Sequence, residues 1–232
     1  MKIGIMQPYF FPYIGYWQLI KAVDKYVIYD DVNYIKNSWI NRNYILLNSN
    51  KKLLTLPLNG ASSYRKINET RITEDVVVKR KLLKTTEQAY SKSLFYKDVF
   101  QIIEETIMNE SENISIANTI AIKRICTYLQ LETEIILSSS LNKANDLQAQ
   151  DKIIHIVSLL GGDVYINAIG GMELYNKKDF INKGIELKFI KSNHVIYRQF
   201  NDNFVPSLSI IDAMMFNSPE KISEMLDDYE LI

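Results

Sequence analysis

The first thirty or so residues confine the fold of this chain more tightly than any other segment. Lys2 to Met6 is a short apolar run that ends at the turn-forming pair Gln7-Pro8, which reads as a buried strand opening into a loop. From Ile14 to Val23, the side chains of Trp17, Leu19, Ile20 and Val23 fall roughly on one face of a helix, and Tyr26 to Tyr29 then reads as a second strand ending at Asp30-Asp31. Strand, loop, helix and strand within about thirty residues is the pattern of a βαβ unit, whose crossover makes the two strands parallel.

The same rhythm returns in the second half. Glu134 to Leu137 reads as a strand ending at Ser138-Ser139-Ser140, Gln148 to Leu160 as a helix, Val164 to Asn167 as a strand ending before Gly170-Gly171, and Ile185 to Ile190 as another strand. Ser207 to Phe216 and Pro219 to Leu226 read as closing helices, the second with proline in its first turn. Between the halves, Tyr44 to Leu47 and Lys52 to Leu58 predict a hairpin across Asn48-Ser49-Asn50-Lys51, and Ile67 to Ile72 a further strand. Asp75 to Tyr90, Lys97 to Met108 and Ile114 to Leu129 have helical apolar spacing, with Thr73 or Asp75 and Asn113 placed to cap their starts. The expected architecture is α/β: a mostly parallel sheet with Rossmann-like βα units, a β-hairpin and a helical insertion at about residues 73–132, within a single domain over residues 1–232.

Composition narrows the function classes. The 27 Lys+Arg balance 27 Asp+Glu, which leaves no global electrostatic handle for nucleic acid or an acidic membrane. No window approaches the roughly 20 apolar residues of a membrane span. The one cysteine forms neither an internal disulfide nor a thiolate cluster, no signal-peptide core follows Lys2, and the cytoplasm is therefore the expected compartment. No P-loop, GxGxxG fingerprint, GxSxG elbow or HExxH zinc helix is present, so P-loop phosphoryl transfer, dinucleotide redox chemistry and zincin hydrolysis lose their support. No metal site is expected, and the cofactor is left open.

Tyrosine is the residue in excess, at 15 copies, and Tyr9, Tyr13, Tyr16, Tyr26, Tyr29, Tyr34 and Tyr44 fall in the first fifth of the chain. Such crowding suits a packed core or a ligand wall equally. In open parallel sheets ligands bind at the carboxyl ends of strands, which places Gln7, Asp30, Asp31, Ser138 and Asn167 on one rim; the serines serve as well for capping the next turn. The segment MQPYFFPYIGYWQLI joins a strand to a helix through a loop stiffened by two prolines. Its Tyr13-Ile14-Gly15-Tyr16 occupies the place of the His-x-Gly-His signature of nucleotidylyltransferases, with tyrosine at both histidine positions. Farther on, Lys36, Trp39, Asn41, Arg42 and Asn43 share the segment IKNSWINRNYI, a phosphate or carboxylate clamp or else a solvated loop. His194, in a polar segment beyond a strand, is a better candidate base than His155, which sits in an apolar helix, though a plain loop role suits it too. Cys126 lies in an apolar helix and reads as a small core residue.

The ordered blocks MQPYFFPYIGYWQLI, VDKYVIYDDVNY, SWINRNYI, LLTLPL, VYINAIGGMELY and FVPSLSIIDAMMFN resemble the WbqC family over nearly the whole chain. Members of that family are associated with bacterial surface-polysaccharide and O-antigen biosynthesis. The resemblance therefore implies a transferase of lipopolysaccharide assembly, such as one moving an acyl or aminoacyl (glycyl) group onto a nucleotide-linked amino sugar. Carried over by position, the family's polar residues are Gln7, Tyr9 and Tyr16 with Gly15, then Asp30 and Asp31, then Asn41 and Arg42, and finally Ser209 and Asp212. Met6 departs from the histidine or similar residue often found before that glutamine.

The resulting expectation gives each residue a task. Arg42, helped by Lys36, holds a diphosphate or carboxylate; Tyr9, Tyr16 and Trp39 stack on base or sugar; Gln7 and Asn41 read sugar hydroxyls. Asp31, its pKa raised by burial or by neighbouring Asp30, or else His194, takes a proton from the attacking group. The partners are a nucleotide-linked sugar and an acyl or aminoacyl donor, with the oligomeric state open. Two alternatives stand beside it, a nucleotidylyltransferase-like enzyme and a non-catalytic binding or assembly protein.

Overall fold

A computed structural model describes residues 1–144 and 147–232. In chain order the strands and α-helices are β1 (Lys2–Met6), α1 (Ile14–Lys21), β2 (Lys25–Ile28), β3 (Arg42–Leu47), β4 (Asn50–Thr55), β5 (Leu58–Asn59), β6 (Arg71–Ile72), α2 (Val76–Tyr90), α3 (Tyr96–Ile107) and α4 (Ile114–Tyr128). They continue with β7 (Glu134–Leu137), α5 (Ala149–Leu159), β8 (Val164–Ala168), α6 (Lys177–Ile181), β9 (Glu186–Ser192), α7 (Ile210–Phe216), α8 (Pro219–Leu226) and β10 (Tyr229–Leu231).

The fold is mixed α/β around a six-stranded sheet in the order β10-β9-β8-β1-β2-β7, parallel throughout except for β10, which runs antiparallel to β9. Both faces are covered, which is why the strands read as apolar runs instead of alternating with polar residues. Ile3 and Ile5 of β1 join Val27, Tyr165, Leu187 and Phe189 beneath α5 and α6, while Tyr26, Ile28, Ile166 and Ile190 point to the opposite face, where α1 packs. Gln18 turns inward from α1 and donates to the carbonyls of Met225 and Asp228, both 3.0 Å away, tying that layer to the end of α8.

Helices α2, α3 and α4 pack in sequence, with α2 also against the β3–β4 hairpin. Asp75 accepts from the amides of Val77 and Val78, and Asn113 from those of Ser115 and Ile116, so each caps the helix the sequence assigned to it. The hairpin turn is tighter than expected: Leu47 pairs with Asn50, leaving only Asn48 and Ser49 between the strands, both at positive φ (50° and 62°) as a primed turn requires. Ile67 to Ile72 is not one strand. Ile67–Glu69 makes a 3₁₀ turn, and only Arg71–Ile72 pairs, with β5. Among the described residues, no helix is long and apolar enough to cross a membrane.

Candidate functional site

The chain reverses its direction of travel across the sheet beside β1. From β1 it moves to β2 and on to β7, then returns to the other side of β1 as β8 and continues outward to β9. The carboxyl ends of β1 and β8 thus mark the switch point where α/β sheets open a crevice. Two cavities lie there, one on each face of the sheet, sharing Met6, Tyr9 and Ala168 as a ridge.

The loop that builds the ridge is fixed by its carbonyls. That of Gln7 accepts from the Tyr16 hydroxyl and that of Pro8 from Asn118 Nδ2, both at 3.0 Å. The Phe10 and Phe11 carbonyls both accept from Asn43 Nδ2, and Phe11 takes a second bond from Ser209 Oγ at 2.7 Å. The Pro12 carbonyl accepts from Trp17 Nε1 and from the amide of Ile210. Phe10 and Phe11 are themselves buried, and Phe11 sits at φ 43°, a conformation costly for a bulky residue that persists only where the surroundings impose it. Side chains from α1, β3, α4 and α7 therefore hold one loop in one shape.

On the α5 face, a polar chamber of about 510 Å³ opens between Gln7, Tyr9, Tyr29, Gln150, Asn167 and Tyr175. Asn167 Nδ2 donates to the Tyr175 hydroxyl at 3.0 Å, which lies 3.2 Å from that of Tyr165. A Cβ on Gly171 would stand 2.9 Å from Asn167 Nδ2, so glycine is what lets the turn after β8 close against that amide. Gln150 is committed, donating to Asp179 and accepting from the Asn176 amide, whereas the Gln7 amide and the Tyr9 and Tyr29 hydroxyls have no hydrogen-bond partner among the described residues. Burial pushes the Tyr9, Tyr29 and Tyr175 phenols up, so they stand as neutral donors.

On the α1 face, a chamber of about 380 Å³ is walled by Tyr9, Tyr13, Tyr16 and Trp39. Among the described residues, neither chamber is lined by a charged side chain. Charge collects just outside the polar chamber: Asp31, beyond β2, pairs with Lys143 at 3.0 Å and Lys152 at 2.9 Å, and Lys152 also lies over the Tyr29 ring at 5.2 Å. Burial alone would raise the Asp31 carboxyl, but the Ser138 hydroxyl and the two ammonium groups outweigh it and hold it down to about 2.

The chambers sort the residues singled out from sequence. Gln7, Tyr9, Tyr16, Trp39 and Asn167 line them. The others lie outside both linings. Asp30 is buried and accepts from the amide and hydroxyl of Ser139 at 2.9 and 2.7 Å, while Asp31 has the depressed pKa just described instead of the raised one that a base needs. Asn41 accepts from Tyr34 and donates to the Leu56 carbonyl. Arg42 donates to the Asn37 carbonyl, and exposed Lys36 lines neither chamber. The Ser138 carbonyl accepts from Lys143. Ser209 caps α7, and Asp212 is buried with three donors, Tyr90, Tyr197 and Gln199, at 2.8, 2.7 and 2.7 Å. His194 is exposed and outside both chambers, and Cys126 is buried with its thiol pushed up to about 12. Sequence reasoning gave no role to Tyr175, Gln150 or Ser192, and it left Tyr29 between core and ligand wall. Only the Gly170-Gly171 pair after a strand hinted at the turn that carries Tyr175.

A sequence profile of the WbqC-like protein family matches residues 7–224. The chain belongs to that family. The two ends of the matched span meet in space, since Ser209 bonds the carbonyl of Phe11. A relative in Mycobacterium tuberculosis, the uncharacterized protein Rv1507c, is 26% identical over 219 residues, covering 93% of each chain. No solved structure matches this WbqC-like chain.

Proposed function

We infer that this WbqC-like protein is a transferase acting on a nucleotide-linked amino sugar in surface-polysaccharide assembly, with the sugar held in the polar chamber. The observation that carries the reading is the uncharged lining of that chamber at the switch point. A pyranose offers hydroxyls and an N-acyl or amino group but no formal charge on its ring. The free amide of Gln7 and the unpaired hydroxyls of Tyr9 and Tyr29 suit such a ligand, because neutral donors and acceptors bond hydroxyls without the desolvation cost of a charge. The phosphates lie along the ridge, beside the backbone that runs from Ala168 to Gly170-Gly171, so Arg42 is not needed there. The ridge of Met6, Tyr9 and Ala168 lies between two compartments, an arrangement suited to moving a group between two bound molecules. Acyl or aminoacyl transfer fits this reading.

Calorimetry against a panel of nucleotide-linked amino sugars tests it. Gln7→Ala is expected to weaken binding roughly tenfold with little change in Tm, because its side chain bonds nothing among the described residues. Arg42→Ala is expected to leave binding unchanged. Failure of every nucleotide-linked sugar to bind would retire the reading. A binding role without catalysis is the second reading, favoured by the absence of a carboxylate or imidazole from either chamber among the described residues; turnover of a bound sugar with an acyl donor decides between them.

A further inference from the structure

The two chambers differ in kind. The polar one is lined by Gln7, Gln150, Asn167 and three tyrosines; the other sets the rings of Tyr9, Tyr13, Tyr16 and Trp39 among aliphatic side chains, with fewer polar groups. Tyr13 and Trp39 keep 38% and 44% of their surface exposed at its mouth, apolar area that a bound ring would cover. Tyr9 and Tyr16 pack against each other deeper in, with ring centroids 5.8 Å apart. The polar atoms at its edge include the hydroxyl of Ser192, which donates to the Asn193 carbonyl at 3.2 Å, and that of Ser207, which can turn to meet either a donor or an acceptor. Four aromatic rings, no charged lining among the described residues and the Ser207 hydroxyl at the rim together select a planar, uncharged ring with a hydrogen-bonding edge.

We propose that the aromatic chamber seats the nucleobase of the nucleotide-linked sugar, stacked against Tyr13 and Trp39, with the phosphates crossing the Met6–Tyr9 ridge and the sugar in the polar chamber. This rests on the reading above for the sugar, while the base site stands on the lining of its own chamber. It also joins the cavities into one elongated site. Tyr9, which lines both, touches the ligand on either side of the ridge. The acceptor or donor of the transferred group then approaches from the open side of the polar chamber.

The protein carries its own probe. Its two tryptophans are Trp17, fully buried and bonded to the Pro12 carbonyl, and Trp39 at the chamber mouth, so ligand-dependent quenching reports on Trp39. The full chain is titrated with uridine, thymidine, cytidine, adenosine and guanosine, then with the corresponding nucleotide-linked sugars, following tryptophan emission and heat. At least one nucleoside is expected to quench saturably. Trp39→Phe should remove the quenching, and Tyr13→Ala should weaken binding by roughly ten- to a hundredfold in calorimetry. If a nucleotide-linked sugar binds by calorimetry without changing Trp39 emission, and Tyr13→Ala binds it as the parent does, the base is not in this chamber and the proposal is overturned while the sugar reading stands. If nucleosides quench but no linked sugar binds more tightly than its nucleoside, the base site stands and the sugar reading falls. Absence of binding by every nucleoside and linked sugar overturns both.

Discussion

Asp30 and Asp31 are neighbours in sequence with different tasks in the structure, and neither task follows from residue type. Asp30 accepts from Ser139 with both oxygens and from the Ser115 hydroxyl with one of them, fastening the end of β7 and the start of α4 to the end of β2. Asp31 neutralises Lys143 and Lys152, whose side chains are only 3% and 13% exposed. Asp31→Asn strands those ammonium groups and is expected to cost about 3 kcal/mol at neutral pH, measured by urea unfolding. Because the folded carboxyl is held at about 2, below its unfolded value, its contribution is present above that unfolded value and is lost as pH falls through about 2. The gap between parent and variant should therefore narrow steadily below about pH 4. Gly171→Ala tests the other side of the site. Its Cβ would press on Asn167 Nδ2 at 2.9 Å, a side-chain atom that can swing away only by leaving Tyr175, so sugar affinity should fall roughly tenfold with little loss of Tm. Asn41, Ser209 and Asp212 were legible as unusual polar residues, but a buried polar group that supports a loop has the same sequence signature as one that touches a ligand.

At the scale of elements, periodicity did most of the work. Twelve of the helices and strands start and end within a residue or two of where apolar spacing put them, because a β-strand buried on both faces and an amphipathic helix leave different marks. Short elements left none: α6 and β10 span five and three residues, too few to establish a period. The segment 193–208 between β9 and α7 contains no regular element, and Asp212 organises it by accepting from Tyr197 and Gln199 within or at its edge and from Tyr90 of α2. Asp212→Ala leaves the Tyr90 and Tyr197 hydroxyls and one N–H of Gln199 without their acceptor. It should cost about 3 kcal/mol and open segment 193–208 to proteolysis, while Asp212→Asn, which retains an acceptor, should recover part of both.

For the whole molecule, equal numbers of acidic and basic residues meet a site whose described lining has no charge. Affinity for a nucleotide-linked sugar should then change by less than about threefold between low and high salt, since no long-range attraction assembles the complex. A steep decline with salt, together with a loss on Arg42→Ala, would instead return the phosphates to the Lys36–Arg42 segment. The topology brings the start and the end of the matched span together. The loop after β1 forms the ridge, and its shape depends on residues as distant in sequence as Asn118 and Ser209.

The sequence by itself determined the α/β class, the parallel pairing of the first two strands and the helix caps, since each depends on spacing and side-chain chemistry within a few residues. It also placed Gln7, Tyr9 and Asn167 at strand ends, where such sheets open. Only the tertiary structure decided which polar residues face a cavity and which hold the walls apart. That choice depends on contacts between residues tens to hundreds of positions apart, and on the side of β1 to which the returning strand β8 pairs, neither of which leaves a periodic trace along the chain.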